Sequence, residues 1–81
     1  MVYLLRCRDG SLYTGITNDL SHRLASHQRG TASAYTRSRR PVTLAYREVV
    51  RRGGRSAALK REAAIRRLTR AEKLALCSDA T

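Results

Sequence analysis

The chain reads as a small α+β domain: a three-stranded antiparallel β-sheet flanked by helices, in the order β-β-α-β-α-α. Three observations predict it. Two β-rich runs, VYLLRC and SLYTGIT, flank Asp9-Gly10, a strong hairpin signal. An alternating run, VTLAYREVV, follows Pro41 and supplies a third strand. Between and after these runs lie stretches with helical spacing and recognisable helix starts and stops.

The hairpin allows two registers. With Asp9-Gly10 as a two-residue loop, Cys7 pairs with Leu12, and Tyr3 and Tyr13 face opposite sides of the sheet. With Arg8-Asp9-Gly10 as a three-residue loop and Gly10 in the left-handed bulge position, Cys7 pairs with Ser11. Leu5 then pairs with Tyr13 and Tyr3 with Gly15, so both phenols share one face. A one-residue slip moves every side chain to the other face, and the hairpin signal alone leaves the choice open. TNDLSHRLASHQRG follows. Thr17 or Asn18 can cap a helix there, and Asp19 suits its positive end. Leu20 and Leu24 mark its buried stripe, and Gly30 is a natural stop. Asp19, Arg23 and His27 recur every four residues and share one polar face, while His22 points away from it. Residues 31–41, TASAYTRSRRP, read as a basic loop with one helical turn around Tyr35. After the third strand, in which Tyr46 reads as core or sheet surface, RRGGR is a flexible turn. A helix is expected from Ser56 to about Leu68, with Leu59, Ala63 and Leu68 on one side. Thr69 and Glu72 have capping-box spacing and open a last short helix.

Eighty-one residues are expected to form one domain, residues 1–81, with a thin core. The 17 Lys and Arg outweigh 6 Asp and Glu, a net charge of +11. A polyanion would relieve that self-repulsion, and nucleic acid is the first candidate because phosphate neutralisation releases counterions. Arg far outnumbers Lys and favours bidentate phosphate contacts. An anionic membrane surface is a weaker alternative, because the helices lack large apolar faces. No stretch is apolar enough to span a bilayer. The first residues reach Arg6 and Arg8 at once, unlike a signal peptide. Cys7 and Cys77 lie at opposite ends of the chain and fit neither a zinc site nor a disulfide framework. The expectation is a cytoplasmic protein with reduced cysteines.

VYL, followed ten positions later by YTG, resembles the paired motif of the GIY-YIG nuclease superfamily. Tyr3 remains in the first triplet while its glycine and isoleucine are replaced, and Thr14 replaces isoleucine between Tyr13 and Gly15. Arg23 and His27 match the arginine and histidine of the superfamily's first helix. AYTRSRRPVTLAYRE and SAALKREAAIRRLTRAEKLAL resemble the later segments of its small single-domain, UPF0213-like branch, with Glu62 at the metal-ligand position. This branch is related to the nuclease domain of the UvrC excinuclease subunit. The match covers nearly the whole chain.

The resemblance implies a GIY-YIG-type fold and metal-dependent hydrolysis of phosphodiesters in DNA. Repair, recombination or DNA turnover would be its setting. Substrate choice would follow structure, or sequence only weakly, since no recognition helix or zinc finger is present. It implies Glu62 as the ligand of one Mg2+ (or Mn2+), which keeps waters in its shell. Arg23 would clamp phosphate oxygens. Tyr3 would be general base for the attacking water. A phenol titrates near pH ~10, so Tyr3 needs a nearby cation or an acceptor such as His27. Tyr13 would orient water or phosphate, and Tyr35 would contact the scissile phosphate or a base. Convergence of Tyr3 and Tyr13 on one phosphate requires the three-residue turn, with Gly15 leaving room for the Tyr3 ring. Arg37, Arg39 and Arg40, like Arg51, Arg52 and Arg55, would hold phosphates without reading sequence.

Plainer readings stand beside these. Tyr3 and Tyr13 could be ordinary strand residues, His27 a surface residue, and Glu62 simply the partner of Arg66 four residues on. The alternative function is a non-catalytic, basic nucleic-acid-binding module. The expected oligomeric state is a monomer or weak homodimer.

Overall fold

VYLL, the run of four apolar residues after Met1, forms the middle of the sheet. In a computed structural model, which describes residues 1–79, the strands are β1 (Val2–Arg6), β2 (Leu12–Ile16) and β3 (Thr43–Glu48). Their order is β2-β1-β3, with both pairings antiparallel. A central strand covered on both faces needs apolar residues at every position rather than alternate ones. Val2, Tyr3, Leu4 and Leu5 are all buried.

The helices cover the two faces. Leu20 and Leu24 of α1 (Leu20–Arg29) pack with Tyr3, Leu5, Cys7 and Val42 on one side. Ile65 of α3 (Gly54–Arg66) joins Val2 and Leu4 on the other, flanked by Leu68 and by Leu76 and Cys77 of α4 (Arg70–Asp79). A single turn, α2 (Ala34–Arg37), lies in the basic loop around Tyr35, as expected. A bulge between Leu4 and Leu5 lets β3 carry one extra residue, Ala45, opposite β1. Ala45 and Tyr46 therefore both pack on the α3/α4 side.

Local signals held where they were purely local. Gly30 ends α1 in the left-handed conformation (φ 82°). Thr69 and Glu72 form the reciprocal capping box: Thr69 N donates to Glu72 Oε1 (2.9 Å), and Glu72 N donates to Thr69 Oγ1 (3.2 Å). Three expectations need correction. The cap of α1 is Asp19, whose carboxylate accepts from His22 N at 3.1 Å. Thr17 instead holds the preceding turn, accepting from Asp19 N. Helix α3 starts at Gly54, after a left-handed Gly53, rather than at Ser56. Its buried stripe is also not the leucine side: Leu59 is 42% exposed and Ala63 is exposed, while Ala58 and Ile65 are buried. Leu68, beyond the helix end, packs as expected.

Candidate active site

Asp9 and Gly10 decide where the tyrosines point. The Asp9 carboxylate accepts from Ser11 N (3.0 Å) and Ser11 Oγ (2.6 Å), and Gly10 takes φ 85°. Gly10 N donates to Cys7 O, and Cys7 N donates to Ser11 O, each at 2.9 Å. This is the three-residue turn with Gly10 at the left-handed position. Leu5 consequently pairs with Tyr13, and Tyr3 with Gly15. The Tyr3 ring lies directly over Gly15: a Cβ there would overlap its Cζ and Oη.

Tyr3 and Tyr13 share the face covered by α1, and His27 lies between them and the helix. Tyr3 Oη is 2.9 Å from His27 Nε2. The Tyr13 and His27 rings meet edge to face, centroids 5.2 Å apart. Tyr13 also stacks on Tyr35 (5.8 Å, 29° between planes). The Arg39 guanidinium also lies over the Tyr35 ring, 3.8 Å from its centroid, and is tied to Asp9 by an ion pair of 3.0 Å. The rings thus form a ladder from the buried His27 to the surface.

The charges around Tyr3 come from separate elements. Its hydroxyl is pushed up to about 12, first by burial and then by Tyr13; Arg23 opposes this and Glu62 adds to it. Arg23, on α1, is close enough to act on His27 as well. Burial, followed by Arg23, holds the imidazole below its usual range and keeps it neutral. Arg23 also lines a cleft of about 430 Å³ between α1 and α3, shared with Ile16, Asn18, Arg55 and Ala58. Tyr3, Tyr13 and Glu62 are not among its lining residues.

Glu62 sits on the inner stripe of α3, four residues after Ala58 and three before Ile65. Its side chain is only 14% exposed, and Arg66 Nη2 donates to its Oε2 at 3.1 Å. The same guanidinium reaches Thr14 O at 3.4 Å. The plain pairing expected from the sequence therefore forms. Arg66 itself is 62% exposed, so it can swing into solvent without unpacking the core. Among the described residues no three His, Cys, Asp or Glu side chains cluster as a metal cage. One carboxylate fits a hard, largely hydrated cation such as magnesium, whose shell is completed by water and phosphate oxygens. It does not fit a zinc-type site.

Five expected residues, Tyr3, Tyr13, Arg23, His27 and Glu62, are brought together from β1, β2, α1 and α3. Gly15 and Tyr35 join them. The arginines of the basic loop divide. Arg39 belongs to the ring ladder. Arg37 and Arg40 line a shallow concavity with Arg8 and Gln28 on another part of the surface. Arg40 spends donors on Arg37 O and Gln28 O. Arg37 makes no side-chain hydrogen bond or ion pair among the described residues.

The chain matches the GIY-YIG catalytic domain over residues 1–75. It belongs to the GIY-YIG nuclease family. Its relatives include a UPF0213 protein of Staphylococcus saprophyticus, 44% identical over 96% of this chain and 93% of the relative. Another, from Staphylococcus aureus, is 46% identical over the same shares. No solved structure matches the chain. The register explains how the degraded first triplet still serves a GIY-YIG domain. Tyr3 and Gly15 are cross-strand partners, and the residues replaced around Tyr3 and Tyr13 do not enter that pairing. In one contact of this domain, sequence reasoning missed a residue altogether. Thr36, fully buried on α2, lies 2.8 Å from His27 Nδ1. A threonine in a basic loop carries no signal that could have singled it out.

Proposed function

We propose that this GIY-YIG domain is a divalent-metal-dependent DNA endonuclease, acting by structure or with weak sequence preference in repair, recombination or DNA turnover. The observation that carries this reading is the convergence on the Tyr3 phenol of Tyr13, His27, Arg23 and Glu62. Tyr3 cannot act as a standing tyrosinate. With its hydroxyl pushed up to about 12, roughly one molecule in 10⁵ would be ionised at neutral pH. The hydrogen bond to His27 supplies a route instead. Tyr3 takes a proton from the attacking water as its own proton passes to the neutral imidazole 2.9 Å away. Arg23, which lines the cleft, would hold non-bridging phosphate oxygens. Tyr13, whose hydroxyl makes no hydrogen bond among the described residues, would orient the water or the phosphate. Tyr35, an exposed ring at the outer end of the ladder, would contact the scissile phosphate or a base. Arg37, Arg39 and Arg40 would hold flanking phosphates. Gly15 gives the Tyr3 ring its space. Glu62 would hold Mg2+ or Mn2+, which when bound polarises the phosphate and supports the leaving oxygen.

The test is cleavage of labelled single-stranded, duplex, flapped and four-way-junction DNA, with magnesium, manganese or chelator, by wild type and Glu62→Ala. The expected result is metal-dependent cutting that Glu62→Ala abolishes while DNA binding persists. The Glu62–Arg66 ion pair favours a second reading, a basic nucleic-acid-binding module without turnover. Equal binding by both proteins and no cutting of any shape by either would select it.

A further inference from the structure

The buried polar groups behind Tyr3 form a chain that ends on a backbone carbonyl. Thr36 Oγ1 lies 3.3 Å from Ser33 O, which can only accept. A hydroxyl has one proton to give. When that proton is directed at Ser33, Thr36 accepts from His27 Nδ1, 2.8 Å away. In that arrangement Nδ1 carries the single N–H of the neutral imidazole, and Nε2 is left as an acceptor. Tyr3 O–H is then the donor across its 2.9 Å contact with Nε2. His27 and Thr36 are 1% and 0% exposed, so solvent does not compete for the imidazole nitrogens. Ser33 is held in turn, as the cap of α2, with its side chain accepting from Tyr35 N. The geometry comes from a fold-level juxtaposition: α2 turns back on α1 and presents Thr36 to the far side of the imidazole.

We infer that Thr36 is a positioning residue, which by accepting a hydrogen bond from Nδ1–H holds His27 in the tautomer whose Nε2 can take the proton of Tyr3. The catalytic half of this inference rests on the nuclease reading; the tautomer half does not. During attack, a bond forms from the water oxygen to phosphorus. One water proton passes to Tyr3 Oη, and the original Tyr3 proton passes to His27 Nε2. The bond from phosphorus to the leaving oxygen breaks, and that oxygen takes a proton from solvent. Tyr3 ends neutral, and His27 ends as imidazolium with Nδ1–H still on Thr36. In the opposite tautomer Nε2–H would point at the Tyr3 oxygen, and the phenol proton would have no basic acceptor.

The test compares wild type, Thr36→Val and Thr36→Ser. Valine matches threonine in shape but has no hydroxyl, and serine restores the hydroxyl. Long-range ¹H–¹⁵N NMR of the imidazoles on the neutral protein reads the tautomer directly, with exposed His22 as internal reference. His27 is expected as the Nδ1–H tautomer in wild type and Thr36→Ser, and as a majority Nε2–H tautomer in Thr36→Val. In the cleavage assay, kcat should fall about 10-fold or more in Thr36→Val at unchanged KM, and recover in Thr36→Ser. Wild type with His27 in the Nε2–H form overturns the inference, and this readout does not depend on any variant folding. So does Thr36→Val with wild-type tautomer and kcat. If wild type cuts nothing, the nuclease reading and the catalytic half of this inference both fall, while the NMR result decides the positioning of the proton by itself.

Discussion

Replacing Gly15 by alanine should change the sign of its effect with the residue at position 3. Gly15 does not adopt a positive φ, so alanine suits its backbone. In a strand that change alone stabilises by about 0.4–1 kcal/mol, because the unfolded chain loses freedom. Tyr3 reverses this. The new methyl would overlap Cζ and Oη of a ring that is 2% exposed and bonded to His27. Relief requires the ring to move off His27. Losing that bond costs about 1 kcal/mol, and overpacking adds about 1–3 kcal/mol. The net expectation for Gly15→Ala is a loss of about 1–3.5 kcal/mol. At a slope near 1 kcal/mol per molar urea for a chain of this size, the unfolding midpoint falls by about 1–3.5 M. In a Tyr3→Leu background the obstruction is gone, and Gly15→Ala should be neutral or mildly stabilising. Urea unfolding of the four proteins of this cycle measures both signs. Equal effects of Gly15→Ala in the two backgrounds would show that the ring does not lie over Gly15. The register that brings Tyr3 and Tyr13 together would then be wrong.

Other outcomes follow from single residues. Thr14 Oγ1 is buried without a hydrogen-bond partner, so Thr14→Val should stabilise by about 1 kcal/mol and raise Tm by about 4–8 °C; a lower Tm would mean the hydroxyl is satisfied in solution. His27 is held below its ordinary value of 6.5 by burial and by Arg23. Its contribution to stability is therefore full above that value and lost as pH falls through the folded-state value. Stability followed from pH 7 to pH 5 should decline in wild type and flatten in His27→Gln, whereas parallel curves would remove His27 as the cause. Cleavage should fail over the same acid range, once His27 can no longer take the Tyr3 proton. Arg37→Ala should weaken binding evenly across DNA sequences and reduce the slope of log K against log salt by about 1. An unchanged slope would show that Arg37 touches no phosphate.

The difference between what was legible and what was not follows the range of the interactions. A three-residue turn needs a left-handed residue, and Asp9-Gly10 supplies it within two positions. Gly30 and the Thr69–Glu72 box act within one helical turn, and both were readable. The cap of α1 slipped by a residue or two because Thr17, Asn18 and Asp19 can each accept a hydrogen bond, and only the path of the chain chooses among them. The inner face of α3 was misread because leucine outweighs alanine in any local count. In the folded chain Ala58 and Ile65 are buried and Leu59 is left outside. That rotation is what puts Glu62 on the inward stripe. Motif resemblance had picked Glu62, but nothing in its neighbourhood of sequence says which way it faces.

By itself, then, the sequence determined the hairpin, the stop of α1 at Gly30, the capping box of α4 and the cationic charge, which depend on neighbours within a turn or two or on summed charge. The turn register and the set Tyr3, Tyr13, Arg23, His27 and Glu62 were picked by resemblance to the family. Only the tertiary structure decided which way those side chains face, that Arg66 meets Glu62, that β3 carries a bulge at Ala45, and that Thr36 stands behind His27. Such contacts join residues brought together by packing, where a helix rotated by one position exchanges a buried side chain for an exposed one. Their outcome is set by the fit of whole elements and has no signature within a short window of sequence.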